Sequence, residues 1–336
     1  MRIVRSEAPT RIDLAGGTLD IPPLYLFHCP AITVNMAIEI KARAVISPSN
    51  QTKVISHDQN ITAIWENPKH ISWLEYPRLE LILRLIKSFN PTKNIQVEID
   101  SDAPAGSGLG GSSVIAIALT AALAKWFNHE LSKDELVEYA KSIETQTIKV
   151  PTGYQDYCGA VYGKVHAYEM GLNGKLKLTP LGSQAFHREL ERHLLLVYVG
   201  RPHFSGTNNW ELFKRHIDGD KKIVDFFDKL RENAVLMKEA LESEQINRVA
   251  EILKKDWETR KAMLPTMTTP EIEHLLSETF KKGAFAARVC GAGGGGCVAL
   301  LINPDERSEL VRLIKEMNML AIPTKISEKG VVVEGE

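Results

Sequence analysis

Apolar and polar residues along this chain follow two rhythms, a short strand-like one near the amino end and a longer helical one further on. Residues 3–8, 11–15, 31–34 and 38–46 read as strands, the last with rough alternation. Pro9 and Thr10 predict a turn between the first two, and Gly16, Gly17, Thr18, Asp20, Pro22 and Pro23 a loop after them. Residues 47–78 follow neither rhythm, and Trp65 and Trp73 stand there as local core. From residue 79 the period lengthens. Residues 79–89 have helical spacing, 94–99 return to a strand, and 112–127 are apolar nearly all round, which predicts a helix in the middle of its domain. Ser132-x-x-Glu135 is a capping box for a further helix, with Leu136, Val137, Ala140 and Ile143 on one face and Pro151 and Gly153 as its stop.

Residues 163–168 and 194–199 read as strands, and helical stripes then dominate. Ile223, Phe226, Leu230, Ala234, Met237 and Leu241 form one stripe; Ile246, Val249, Ala250, Leu253 and Trp257 form the next. Thr269 is an N-cap followed by proline at the first helical position, and Gly283 is the matching stop. Strands are predicted over 284–289, 297–302, 321–326 and 331–333, with a helix from Asn303-Pro304 to about residue 317. No internal repeat is visible. The mixed order predicts an α+β fold of two domains, residues 1–185 and 186–336.

Composition narrows the class. A chain of 336 residues, 44% hydrophobic and 25% charged, is large enough for a deep core and reads as globular. A formal net charge of −1 gives no overall field to draw nucleic acid. The amino end lacks the apolar core of a signal peptide. The longest apolar run, 114–127, is broken by Thr120 and Lys125 and is too short for a membrane span. Cys29, Cys158, Cys290 and Cys297 make no C-x-x-C pair, so their spacing suggests neither zinc nor a disulfide framework. The expectation is a reduced cytoplasmic protein, monomer or homodimer, with no nucleic-acid or membrane partner.

Candidate chemistry concentrates at residues 102–113, between the strand at 94–99 and the buried helix. Gly106, Gly108, Gly110 and Gly111 remove side chains that would keep a ligand off the backbone. Ser112 and Ser113 open a helix whose first turn offers unpaired N–H groups and a positive dipole end. That is an anion site suited to phosphate; the plainer reading is a glycine turn capped by Ser112. Gly106-x-Gly108-x-x-Gly111 formally matches the dinucleotide fingerprint, but the following helix leads to another helix and not to the second strand of a βαβ unit. A Walker A loop is excluded because no Lys-Ser/Thr follows the glycines in that order.

Three segments together resemble the GHMP kinase superfamily, the group of galactokinase, homoserine kinase, mevalonate kinase and phosphomevalonate kinase. They are Ala8-Pro9-Thr10-Arg11-Ile12-Asp13-Leu14-Ala15-Gly16-Gly17, residues 104–113, and Cys290-Gly291-Ala292-Gly293-Gly294-Gly295-Gly296. Within that group the sequence is most similar to bacterial sugar kinases of the heptose 7-phosphate kinase and fucokinase type. Gly153-Tyr154-Gln155-Asp156-Tyr157 resembles their Gly-x-Gln-Asp-Gln segment, with Tyr157 in place of the second glutamine. Gly16-Gly17-Thr18-Leu19-Asp20 stands where their pattern is Gly-Gly-Gly-Thr-Asp.

The resemblance implies a ribosomal S5 domain 2-like amino-terminal domain and a ferredoxin-like carboxy-terminal domain. It implies ATP and Mg2+, with Pro104, Gly106, Ser107, Gly108, Leu109, Gly110, Gly111, Ser112 and Ser113 at the ATP phosphates and Ser113 and Glu144 on the metal. Asp156 would be the general base with Arg11 beside it. Asp20, Gly17, Thr18, Gln155, Tyr157, Arg201, Gly293 and Gly294 would surround the substrate, and His203 is a further candidate there. The residue types suit these tasks. Magnesium takes a few hard oxygen ligands, a carboxylate accepts the proton of an attacking hydroxyl, and a second carboxylate grips vicinal hydroxyls by accepting two hydrogen bonds. The expected activity is transfer of the γ-phosphoryl group of ATP to a hydroxyl, anomeric by expectation, of a sugar or sugar phosphate. A mevalonate- or homoserine-type kinase is the alternative within the class, and a catalytically silent sugar and ATP sensor the alternative outside it.

Overall fold

Two β-sheets, each covered by helices, carry the chain, and the computed structural model describes residues 2–200 and 206–335. The spine of the larger sheet is the strand Ala31–Pro48. It pairs antiparallel with Val4–Ala15 along one edge. Along the other edge it pairs first with Val165–Met170 and then with Ile95–Ser101. Thr52–Ser56 joins Ile95–Ser101 in parallel and Ile61–Trp65 follows antiparallel; Leu176–Pro180 extends the sheet beyond Val165–Met170. The last strand, Val332–Gly335, returns to pair with the first.

Several predicted elements change here. The turn at Pro9 and Thr10 is not one: Val4–Ala15 runs through, with a register shift between Pro9 and Thr10. Proline cannot donate to the ladder, so an irregularity at that point accommodates it. Strands predicted at 31–34 and 38–46 are halves of one strand. The region 47–78 holds two strands; the buried face of Thr52–Ser56 carries Thr52, Val54 and Ser56, so its alternation hides behind hydroxyls, and that of Ile61–Trp65 carries Ala63 and Trp65. Two helices, Gln155–Tyr162 and Gln184–His193, fall in stretches to which the sequence assigns no element.

The helix Gly111–Phe127 lies against the first two strands, buried from Ser113 to Ala124, as its apolar composition predicts. Lys133–Ile148 runs beside it and opens on the Ser132–Glu135 capping box. The smaller sheet is antiparallel, in the order Leu320–Ile322, Leu194–Tyr198, Cys297–Ile302, Ala284–Val289. Helix Lys221–Glu242 packs on the first two strands of the large sheet, and its neighbour Ile246–Met263 packs on Ala284–Val289. One apolar cluster therefore contains Ile12 and Val34 from one sheet, Leu196 and Ala299 from the other, and Met237 and Leu253 between. No described helix is long and apolar enough to cross a membrane.

Candidate active site

A cleft of about 470 Å³ opens where the two sheets meet. Its walls are the glycine loop at 103–113, the loop carrying Thr18 and Asp20, the segment 150–156, Glu144, Arg260 and the second glycine run. Three stretches far apart in sequence are thus one surface.

The glycine loop turns through left-handed conformations at Gly106, Gly108 and Gly110. The helix behind it starts on Gly110, so Ser112 is not its cap. The hydroxyls of Ser112 and Ser113 point instead to Glu144, donating to Oε1 at 2.5 Å and Oε2 at 2.8 Å. The second glycine run packs against the back of the loop. A Cβ on Gly108 would stand 2.4 Å from the Cys290 carbonyl oxygen, and the Cys297 N–H donates to the Ser107 carbonyl at 2.8 Å. Gly293 lines the cleft, while the Gly294 N–H is turned to the Met267 carbonyl. Leu109 is buried beneath the loop, where its carbonyl accepts from the Arg11 N–H.

Asp156 projects from the first turn of helix Gln155–Tyr162 and is a quarter exposed. Arg11, buried on the first strand, meets only its Oδ1, from Nε at 2.7 Å and Nη2 at 2.5 Å. Arg11 Nη1 donates to the Gly108 carbonyl at 2.8 Å, so one guanidinium joins Asp156 to the glycine loop. Burial works against the Arg11 charge, but Asp156 and Asp13 outweigh it and hold the group above its ordinary value.

Asp20 accepts from the Tyr154 and Gln155 N–H groups through Oδ2, at 2.5 and 2.8 Å, at the start of the helix that bears Asp156. A Cβ on Gly153 would stand 2.2 Å from that oxygen, so a larger residue there would displace the Asp20 carboxylate. Burial pushes the Asp20 carboxyl up to about 6, against the two backbone donors. Its Oδ1 has no partner among the described residues. Thr18, where the resembling pattern has glycine, sits at φ 85. A β-branched residue there is a strained conformation of the kind that collects at functional loops. The Gly17 carbonyl accepts from Arg260.

Tyr157 does not reach the cleft. It is fully buried and its hydroxyl donates to Glu144 Oε2 at 2.6 Å. The sequence-based placement at the substrate is therefore corrected: position 157 lies on the inward face of the helix that turns Asp156 outward. Gln155 lines the cleft. Arg201 and His203 lie outside the described residues.

Glu144, which burial pushes above its ordinary carboxylate value, is opposed in this by three hydroxyl donors. A buried carboxylate beside the Ser113 hydroxyl is a hard oxygen pair, so the residues present fit magnesium.

Two buried, charged residues of the cleft have no role assigned from the sequence. Asp13 and Arg260 both line the cleft and both are buried. Arg260 follows Trp257 by three on a helix stripe of core residues. A charge at the next core position was the available signal.

The chain matches the family described as GHMP kinases N terminal domain over residues 79–164, and GHMP kinases C terminal over residues 237–317. The chain belongs to the GHMP kinases. This GHMP kinase chain is 25% identical to D-glycero-alpha-D-manno-heptose 7-phosphate kinase of Campylobacter jejuni, over 98% of each chain. It is 26% identical to mevalonate kinase of Pyrococcus abyssi, over 99% of this chain and 98% of that one. Its fold matches the crystal structure of a D-glycero-D-manno-heptose 1-phosphate kinase from Bacteroides thetaiotaomicron, with a TM-score of 0.80, 22% identity and 98% of each chain covered. The GHMP kinase fold expected from the three motifs is the one observed, and the activity class is that of an ATP-dependent kinase.

Proposed function

We propose that the protein transfers the γ-phosphoryl group of ATP to a hydroxyl, the anomeric one, of a sugar or sugar phosphate, with Mg2+. The observation that carries this reading is the placement of Asp156. Its Cγ lies 3.1 Å from where a Cβ on Gly110 would stand, so the carboxylate abuts the glycine loop at the cleft. Arg11 occupies Oδ1 and leaves Oδ2 to accept the hydroxyl proton. The glycine loop and the start of helix Gly111–Phe127 suit the ATP phosphates. Ser113 and Glu144 would hold the metal, which when bound neutralises charge on the transferring group. Asp20, with an unpaired oxygen, suits a substrate hydroxyl. The sugar assignment draws on likeness to the heptose 7-phosphate kinase. Likeness of equal extent to mevalonate kinases keeps mevalonate as the second acceptor.

ATP turnover across sugars, sugar phosphates, mevalonate and homoserine tests the reading. Turnover on a sugar or sugar phosphate is expected. Turnover confined to mevalonate or homoserine moves the assignment to those acceptors, and ATP binding without turnover on any hydroxyl makes the protein a sensor. In Asp156→Asn, kcat should fall by about 10²- to 10⁴-fold with ATP affinity kept. Near-normal kcat removes Asp156 as the base.

A further inference from the structure

Arg260 is a charged side chain built into the wall of the cleft with one of its three nitrogens unpaired. Its Nε donates to Asp256 Oδ2 at 2.9 Å and its Nη2 to the Gly17 carbonyl at 2.7 Å. Its Nη1 donates to no acceptor among the described residues, yet the residue lines the cleft and is almost wholly buried. Two contacts therefore fix the plane of the guanidinium, and its third nitrogen is the one available to a ligand. Asp20 lines the same cleft, its buried Oδ1 is unpaired among the described residues, and it is close enough to influence the Arg260 charge. A fixed donor and a free acceptor on one wall match neighbouring hydroxyls, each of which both gives and accepts a hydrogen bond.

The charge balance decides what kind of group is read. Arg260 and Arg288 are matched by Asp13 and Asp256, all four buried and joined through Arg288, which donates to both carboxylates. This cluster is neutral, so an added phosphate would find no net positive charge in it. A neutral hydroxyl asks only for the free N–H.

We infer that Arg260 is a specificity residue that donates through Nη1 to a neutral hydroxyl of the acceptor, beside the hydroxyl held by Asp20. This rests on the kinase reading above. The test is steady-state kinetics of Arg260→Lys with an acceptor identified by the panel. Lysine keeps the charge opposite Asp256 but cannot hold the Gly17 carbonyl and reach the cleft together. The acceptor KM should rise about tenfold or more, with the ATP KM unchanged. Where a sugar is used in both phosphorylated and unphosphorylated forms, the loss should be equal for the two. An unchanged acceptor KM, a parallel rise for ATP, or a loss confined to the phosphorylated form overturns the inference while the kinase reading stands. No turnover by the wild-type protein on any panel member overturns both. If the variant does not fold, a wild-type crystal structure with the acceptor decides. A hydroxyl oxygen within about 3.2 Å of Nη1 is expected, and its absence overturns the inference.

Discussion

Asp20 shows how burial at one residue reaches activity. Its carboxyl is raised to about 6 chiefly by burial, above the roughly 4 of an unfolded chain. The folded chain holds this proton more tightly than the unfolded one. Its contribution therefore favours the fold below about pH 4, declines as pH rises from about 4 to about 6, and is constant above that. Gripping substrate hydroxyls needs the opposite, the ionised form. The acceptor KM should thus rise about fivefold as pH falls from 6 to 5, following a single proton, and initial-rate profiles of Asp20→Asn should lose that rise. Persistence of the full rise in the variant would assign it to another group. Positions in the cleft were legible where the family resemblance carried them, as with Arg11, Asp20, Glu144 and Asp156. Thr18 and Tyr157 were read less well. Both depart from the resembling pattern, and the sequence does not tell that one takes a left-handed backbone and the other faces inward.

The helix Gln155–Tyr162 is eight residues long, yet it organises one side of the cleft. Asp20 receives N–H groups at its start, Asp156 faces out from its first turn, and Tyr157 donates inward to Glu144 on helix Lys133–Ile148. Tyr157→Phe removes one of three donors from a buried carboxylate. A loss of about 2 kcal/mol of unfolding free energy is expected, read from the denaturant midpoint at unchanged slope. Its length explains why it was missed: Pro151 and Gly153 precede it and Gly163 follows, so the sequence assigns no element there. Long elements were legible from their apolar positions alone, Gly111–Phe127 by an apolar run and Lys221–Glu242 by a helical stripe. The strand Val4–Ala15 was divided at Pro9 because a local breaker outweighs pairing that only the partner strand supplies.

Across the whole molecule, the two sheets are joined by buried charge as well as by apolar packing. Arg288 on the small sheet reaches Asp13 on the large one, and Asp256 receives both Arg288 and Arg260. Removing a shared partner leaves two guanidinium groups in the interior. Asp256→Ala should cost about 3–5 kcal/mol in denaturant unfolding, more than a typical substitution. Ordinary stability would mean that water replaces the carboxylate. No sequence rhythm announces such a network, since its members are 275 positions apart at the widest.

The seating of the second glycine run on the glycine loop has a consequence in time. The Cys297 N–H reaches the Ser107 carbonyl, and the Arg11 N–H reaches the Leu109 carbonyl. Chain segments about 100 and 190 positions distant must therefore arrive before the cleft has its shape. Contacts so remote in sequence form slowly, because loop closure precedes any reward. During refolding, helical signal should return first, and affinity for a nucleotide analogue should mark the arrival of the last partner.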